Sequence, residues 1–248
     1  MSAVRGARER ARIEVTAAIK DEARKQLAAE GAAKLSLRAV ARELGMVSSA
    51  LYRYFPSRDD LLTALIVDAY DAVGEAAERA AAGEPGAGAG EPGAGARATG
   101  ARATGLTRWV AVACAVRDWA LAHPHEYALI YGSPVPGYSA PQDTVGPAAR
   151  VGMVLIAIVE EAGRDEGLAL MPLPDELRPE AERLAADVAP GLAPAVAAPL
   201  VAAWAQLFGL ISFEVFGQFN RVVEAREVFF RRAVTELART VGLLGRPG

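Results

Sequence analysis

Apolar residues recur along this chain every three or four positions, and no stretch alternates convincingly as a strand would. A first helix is predicted from about Ile13 to Glu30, with Ile19, Ala23 and Leu27 on one face and Gly31 ending it. Two short helices follow within residues 36–55. After Pro56, Ser57 caps a fourth helix from near Arg58 to about Ala82, which carries Leu61, Leu62, Leu65, Ile66, Ala69 and Val73. Further helices are expected over Leu106–Ala122, Pro124–Gly132, Val145–Glu166, a short run ending at Val188, Ala195–Phe219 and Glu224–Leu244. Pro- and Gly-rich breaks separate several of them. The predicted fold class is all-α, with nine or ten helices. A three-helix N-terminal domain (1–57) precedes a larger helical domain (58–248).

The segment Ser36–Phe55, SLRAVARELGMVSSALYRYF, carries the most information. Counting from Leu37, small Ala41 is fifth, Gly45 ninth and Leu51 fifteenth. Two crossed helices need that arrangement: a small residue where they approach, a positive φ in the turn and an apolar residue returning to the shared core. Val40, Leu44 and Met46 complete the core. Ser36 is a candidate N-cap for the first helix, and Ser48 or Ser49 for the second. The second helix then turns Ser49, Ala50, Tyr52 and Arg53 outward. A plain helix hairpin would show Glu/Lys pairs there; Ser, Tyr and Arg are partners for phosphates and base edges.

Residues 16–65 resemble the DNA-binding domain of the tetracycline-repressor (TetR) family. The run LSLRAVARELGMVSSALYRYFPSRDDLLTAL carries the likeness, with LYRYFPSRDDLL similar to that family's signature after the turn. The resemblance implies that Ser36, Tyr52 and Tyr54 meet phosphates. It also implies that Val47, Ser48, Ser49, Ala50 and Arg53 face bases or the groove, Arg53 being the candidate guanine reader. Arg38 joins the expected DNA-contacting set, and Arg58, opening the next helix, is expected to meet a phosphate. The implied partner is a double-stranded, palindromic operator. The implied function is a transcriptional regulator, expected to be a repressor released by a small hydrophobic or aromatic effector.

Charge agrees with a DNA-facing N-terminus. Residues 1–60 hold 12 Lys/Arg against 8 Asp/Glu, a balance of +4, while the remainder carries −7 of the total −3. Phosphate neutralisation supplies most non-specific affinity, and an acidic remainder does not compete for the duplex. Arg5, Arg8, Arg10 and Arg12 form a basic lead-in expected to be a frayed arm. Residues 83–105, built on tandem EPGAGA and ARATG blocks, read as a flexible loop. No apolar run reads as long and unbroken enough to span a bilayer, no signal peptide is evident, and the single cysteine, Cys114, rules out an internal disulfide. A cytoplasmic location is expected.

No enzymatic constellation is found. His123 and His125 are two apart and do not share a helix face, and no third ligand stands at metal-site spacing. Neither a metal nor a cofactor is expected. The penultimate helix is apolar on nearly every side, so more than one of its faces must be covered. A four-helix, two-fold homodimer interface is predicted from Trp204, Leu207, Ile211 and Val215 with Phe230, Val234, Leu237 and Val241. Candidate effector-lining residues are Trp109, Trp119, Tyr127, Tyr131, Trp204 and Phe208. HPHEYALIYGSPVPGYSAP and AWAQLFGLISFEVFGQF resemble two segments of the Trp-His-Gly class of TetR C-terminal domains, although Phe208 stands where that class would have His.

Overall fold

The computed structural model describes residues 2–84 and 103–243, with side chains from Gly6 onward. The expected loop over 83–105 lies largely outside the described residues, as does Leu244. Among the described residues there are ten α-helices and no strand. They are α1 (Ser2–Glu30), α2 (Leu37–Glu43), α3 (Ser48–Leu51), α4 (Arg58–Ala82) and α5 (Gly105–Ala122), then α6 (Pro124–Tyr131), α7 (Val145–Asp165), α8 (Arg178–Val188), α9 (Pro194–Val215) and α10 (Arg226–Thr240).

Helix α1 begins well before the expected Ile13. The lead-in is helical because Ala, Arg and Glu are strong helix formers, and the one glycine there, Gly6, is not enough to break the run. The last helices are shorter than expected at their C-terminal ends. Gly217 and Gly242, both at positive φ, lie just beyond α9 and α10.

The chain divides into two compact units. One comprises Met1–Asp71 with His123–Ala148, and the other Ala72–Ala122 with Ala149–Gly248. The boundaries fall inside α4, between α5 and α6, and inside α7, where the sequence suggested one division at residue 57. The first half of α4 explains the difference: Leu61, Leu62, Leu65 and Ile66 are buried in one core with Ile19, Ala23 and Leu27 of α1 and with Val40, Ala41 and Leu51. Tyr138, Val135, Leu129 and Ile130, from the α6 segment and the loop after it, pack on that core. Tyr138 Oη lies 2.9 Å from Thr63 Oγ1, Tyr70 donates to the Ile130 carbonyl, and Arg24 reaches Glu126 at 3.4 Å.

In the second unit, α9 packs against α5, α8 and α10, and α10 also packs against α5. Trp109, Val112 and Val116 of α5 are fully buried, as are Leu207 and Ile211 of α9 and Val234 of α10. One charged pair is set into this apolar packing. Arg117 of α5 donates through Nε and Nη2 to the two carboxylate oxygens of Glu214 on α9, each at 2.6 Å. By length and composition alone α9 could cross a membrane, contrary to the expectation that no run could. Cys114 is buried, and burial pushes its thiol pKa up.

Candidate nucleic-acid interface

The interface is built on a local frame. Ser36 caps α2, its Oγ accepting from the Ala39 amide at 3.4 Å. Gly45 closes the turn at φ 64°, where the Met46 amide returns to the Ala41 carbonyl at 2.8 Å. Val47, extended, is the N-cap of α3 and makes no side-chain cap bond, so Ser48 is the first helical residue and neither serine caps as expected. Both hydroxyls are consequently left outside the helix's own bonding. Leu51 and Phe55 drop into the core and hold the short helix against α2. Ser57 opens α4 by accepting from the Asp60 amide while its hydroxyl donates to the Asp60 carboxylate.

On this frame Arg38, Val47, Ser48, Ser49, Tyr52 and Arg53 are exposed together. Ser36, Ala50 and Tyr54 are half-buried, Tyr54 leaning on the core beneath. Ser36, Arg38, Tyr52 and Ser57 border one shallow depression of about 470 Å³. Ser57 was not expected there; its proximity depends on the chain returning past Pro56, which no helix periodicity reveals.

Ion pairing sorts the cations. Lys20 and Arg24 are held by Asp68, Lys25 by Glu22 and Arg42 by Glu43. Among the described residues Arg38 and Arg53 enter no such pair, so their charge remains available to an external anion. Lys34, exposed at the end of the turn before Ser36, resembles them and was missed by sequence reasoning. Arg58 lines the same depression, and its guanidinium donates to the carbonyls of Ala32 (2.8 Å) and Leu35 (3.2 Å), which ties the start of α4 to the turn before α2.

The expected effector residues fall in both units. Trp109 is fully buried, its indole N–H without a hydrogen-bond partner among the described residues; Trp119 and Phe208 are buried as well. Tyr127 and Tyr131 belong to the first unit, where their rings lie 5.1 Å apart and Tyr131 meets Tyr70 edge-on at 5.9 Å. Burial raises the Tyr131 pKa above its ordinary value. Trp204 alone of the six lines the apolar pocket between α7, α8 and α9.

The expected dimer stripe is also corrected. Leu207, Ile211, Phe230, Val234, Leu237 and Val241 are all buried within the single chain, and Val215 is half-buried. The apolar residues left facing outward are others. Ala202, Ala205, Gly209, Phe213 and Phe216 run along α9 at helical spacing, with Val228 and Phe229 at the start of α10. Phe219 bridges Phe213 (5.7 Å) and Phe229 (5.6 Å) through edge-on ring contacts. Trp204, among the expected set, is 42% exposed.

His123 is the N-cap residue of α6, and Glu126 is engaged by Arg24. No group of three or more metal-ligating side chains occurs among the described residues.

A short exposed helix bearing hydroxyls, followed by an exposed arginine and seated on a second helix through a glycine turn, defines the class: a helix-turn-helix DNA-binding protein. Residues 19–65 match the model for bacterial regulatory proteins of the tetR family, and residues 109–237 match the tetracyclin repressor-like C-terminal domain. The HTH-type transcriptional regulator Rv1816 of Mycobacterium tuberculosis is 41% identical over 222 residues, covering 87% of this chain and 86% of its own length. Mb1846 of Mycobacterium bovis matches to the same extent. The solved structure of regulatory protein SCO4313 is 34% identical, with a TM-score of 0.71 over 92% of this chain and 97% of that one. The TetR family regulator PfmR of Thermus thermophilus shares the fold, with a TM-score of 0.57 at 17% identity over 92% of this chain and 99% of its own. The chain belongs to the TetR family and is a helix-turn-helix transcriptional regulator, not an enzyme.

Proposed function

We propose that the protein binds a palindromic operator as a two-fold homodimer in the cytoplasm and represses transcription until an apolar effector releases it. The observation that carries the reading is the exposed set Arg38, Ser48, Ser49, Tyr52 and Arg53, in which neither cation has an ion pair among the described residues. In this reading α3 enters the major groove. Arg53 reads a guanine, Val47 and Ala50 offer apolar contact to a thymine methyl, and Ser36, Arg38 and Tyr52 hold phosphates. Lys34 adds a further phosphate contact.

Dimerisation is assigned to the outward residues of α9 and α10. Ala202, Ala205 and Gly209 allow close approach of a second α9, and Phe213, Phe216 and Phe229 supply apolar area at its end. A two-fold pair of recognition helices calls for half-sites about one helical turn apart or somewhat more.

The test is selection of bound sequences from random duplex DNA by the purified chain at a fixed salt concentration. The expected result is an inverted repeat. Recovery of no enriched sequence, with weak and steeply salt-dependent binding, would refute specific readout and leave only phosphate contact.

A further inference from the structure

We propose that the pocket between α7, α8 and α9 binds one uncharged hydrocarbon group, either a medium-length alkyl chain or a fused-ring aromatic. This deepens the effector reading above and depends on it for regulatory meaning, although the binding itself needs no DNA.

Three segments converge on the pocket. Helix α7 contributes Ala149, Gly152, Met153 and Ile156, spaced three, one and three residues apart on one face. Helix α8 and the turn after it add Leu184, Val188, Ala189 and Leu192. Helix α9 adds Ala197, Leu200, Val201 and Trp204. The space exists because four of these positions carry no side chain beyond a methyl: Ala149, Gly152, Ala189 and Ala197.

Burial divides the lining into floor and rim. Ile156, Leu192, Ala197 and Leu200 are buried, whereas Met153, Val188, Val201 and Trp204 stand 42–49% exposed around the mouth. Large apolar side chains left in water around a concavity, rather than scattered singly, mark a place that something apolar covers. The volume is about 240 Å³. A dry cavity of roughly 150 Å³ accommodates benzene, so this one has room for more than a single ring.

The chemistry of the lining narrows the class. No residue on it is charged, and none carries a polar side-chain group except the Trp204 indole N–H. A hydroxyl or carboxylate carried to the floor would lose its water without gaining a hydrogen bond. Any polar end of the ligand therefore stays at the mouth. Trp204 on the rim serves as reporter, because Trp109 and Trp119, the other two tryptophans, are buried.

The experiment titrates the full chain, without DNA, with 1-decanol and separately with naphthalene, following iodide quenching of tryptophan emission and the melting temperature. The expected result is saturable protection of Trp204 from iodide, with a raised melting temperature, by at least one of the two. Decanol alone identifies an alkyl site and naphthalene alone a ring site. The decisive variant is Gly152→Leu. A Cβ at Gly152 meets nothing within 4 Å, so the new side chain grows into the pocket, and leucine is also the better helix former. The variant is expected to melt no lower than the parent and to bind at least tenfold more weakly. The proposal is overturned if neither compound protects Trp204. Undiminished binding by Gly152→Leu also overturns it, since the ligand then lies elsewhere. So does a ligand-free protein whose Trp204 iodide cannot reach, because a second copy then fills the mouth. Operator selection by the same preparation keeps the two readings apart: an enriched palindrome without hydrocarbon binding sinks the pocket alone, and the converse sinks the DNA reading alone.

Discussion

Glu214 is the sharpest place to test the packing of the second unit. It is 7% exposed on a helix that is otherwise almost entirely apolar, and both its oxygens accept from Arg117 at 2.6 Å. Those bonds raise the Arg117 pKa further above its ordinary value, against the opposing effect of burial. Replacing Glu214 by leucine leaves a guanidinium that cannot escape by losing its proton. Its remaining neighbours are Asp118, 3.6 Å away and half-exposed, and the Phe230 ring, 5.3 Å from the guanidinium carbon. Breaking a buried pair on one side costs about 3–5 kcal/mol, and Asp118 moves the expectation toward the lower end. At roughly 2–4 °C per kcal/mol for a chain of this size, the melting temperature should fall by about 6–15 °C. The double variant Arg117→Met/Glu214→Leu removes both charges and keeps their volume, so it should recover most of that loss. The assay is urea unfolding of the four proteins of the cycle, followed by far-ultraviolet circular dichroism at one protein concentration. A loss under about 1 kcal/mol in Glu214→Leu, or a double variant no better than the single, would refute the claim that the pair is desolvated and coupled.

Arg38→Ala should reduce the salt dependence of DNA binding by about one unit of slope with little change in stability. Arg58→Ala should do the reverse, costing about 1–3 kcal/mol in unfolding experiments because its bonds to the Ala32 and Leu35 carbonyls are lost, while the salt slope stays put. Phe213→Glu on the exposed α9 face should yield folded monomers in sedimentation, whereas Phe230→Ala should destabilise the chain itself by about 3–5 kcal/mol; equal behaviour of the two would contradict the assignment of faces. Hydrogen bonds from Arg150 hold the Glu78 carboxyl below its ordinary pKa, so this pair stabilises the fold above the ordinary carboxylate range, and the contribution disappears as pH falls through the lowered value. Glu78→Gln should remove that part of the acid limb, by less than about 1 kcal/mol since the carboxylate is half-exposed, and an unchanged pH profile of stability would count against the pairing.

What the sequence made legible was what is decided locally. The helix-turn-helix is specified within about twenty residues by a cap, a small residue, a turn glycine and a returning leucine. Ser36, Ala41, Gly45 and Leu51 do in three dimensions what their spacing implies. The structural tie made by Arg58 was not legible in the same way, because its partners, the carbonyls of Ala32 and Leu35, lie 26 and 23 residues back. A cation at a helix start looks identical in sequence whether it serves a phosphate or a neighbouring backbone. The assignment of residues 123–148 to the first unit was illegible for a related reason: it rests on Tyr138 meeting Thr63, Glu126 meeting Arg24 and Tyr70 reaching Ile130, pairings 60 to 102 residues apart that no local period encodes.

Helix α9 shows where periodicity itself runs out. A helix with one apolar stripe announces its buried side, but α9 is apolar around most of its circumference, so the pattern cannot say which stripe meets the protein's own core. The sequence reading gave Leu207 and Ile211 to a partner, yet both are fully buried within the single chain, where α9 packs against α5, α8 and α10. The deciding residue is the one charge in the run. Glu214 must face a cation, Arg117 lies on α5, and the bidentate pair therefore turns the Leu207–Ile211–Glu214 stripe inward. Once that stripe is inside, the Ala202–Ala205–Gly209–Phe213 stripe is outside. A single buried charge thus orients the helix, and through it determines which surface the proposed dimer would use.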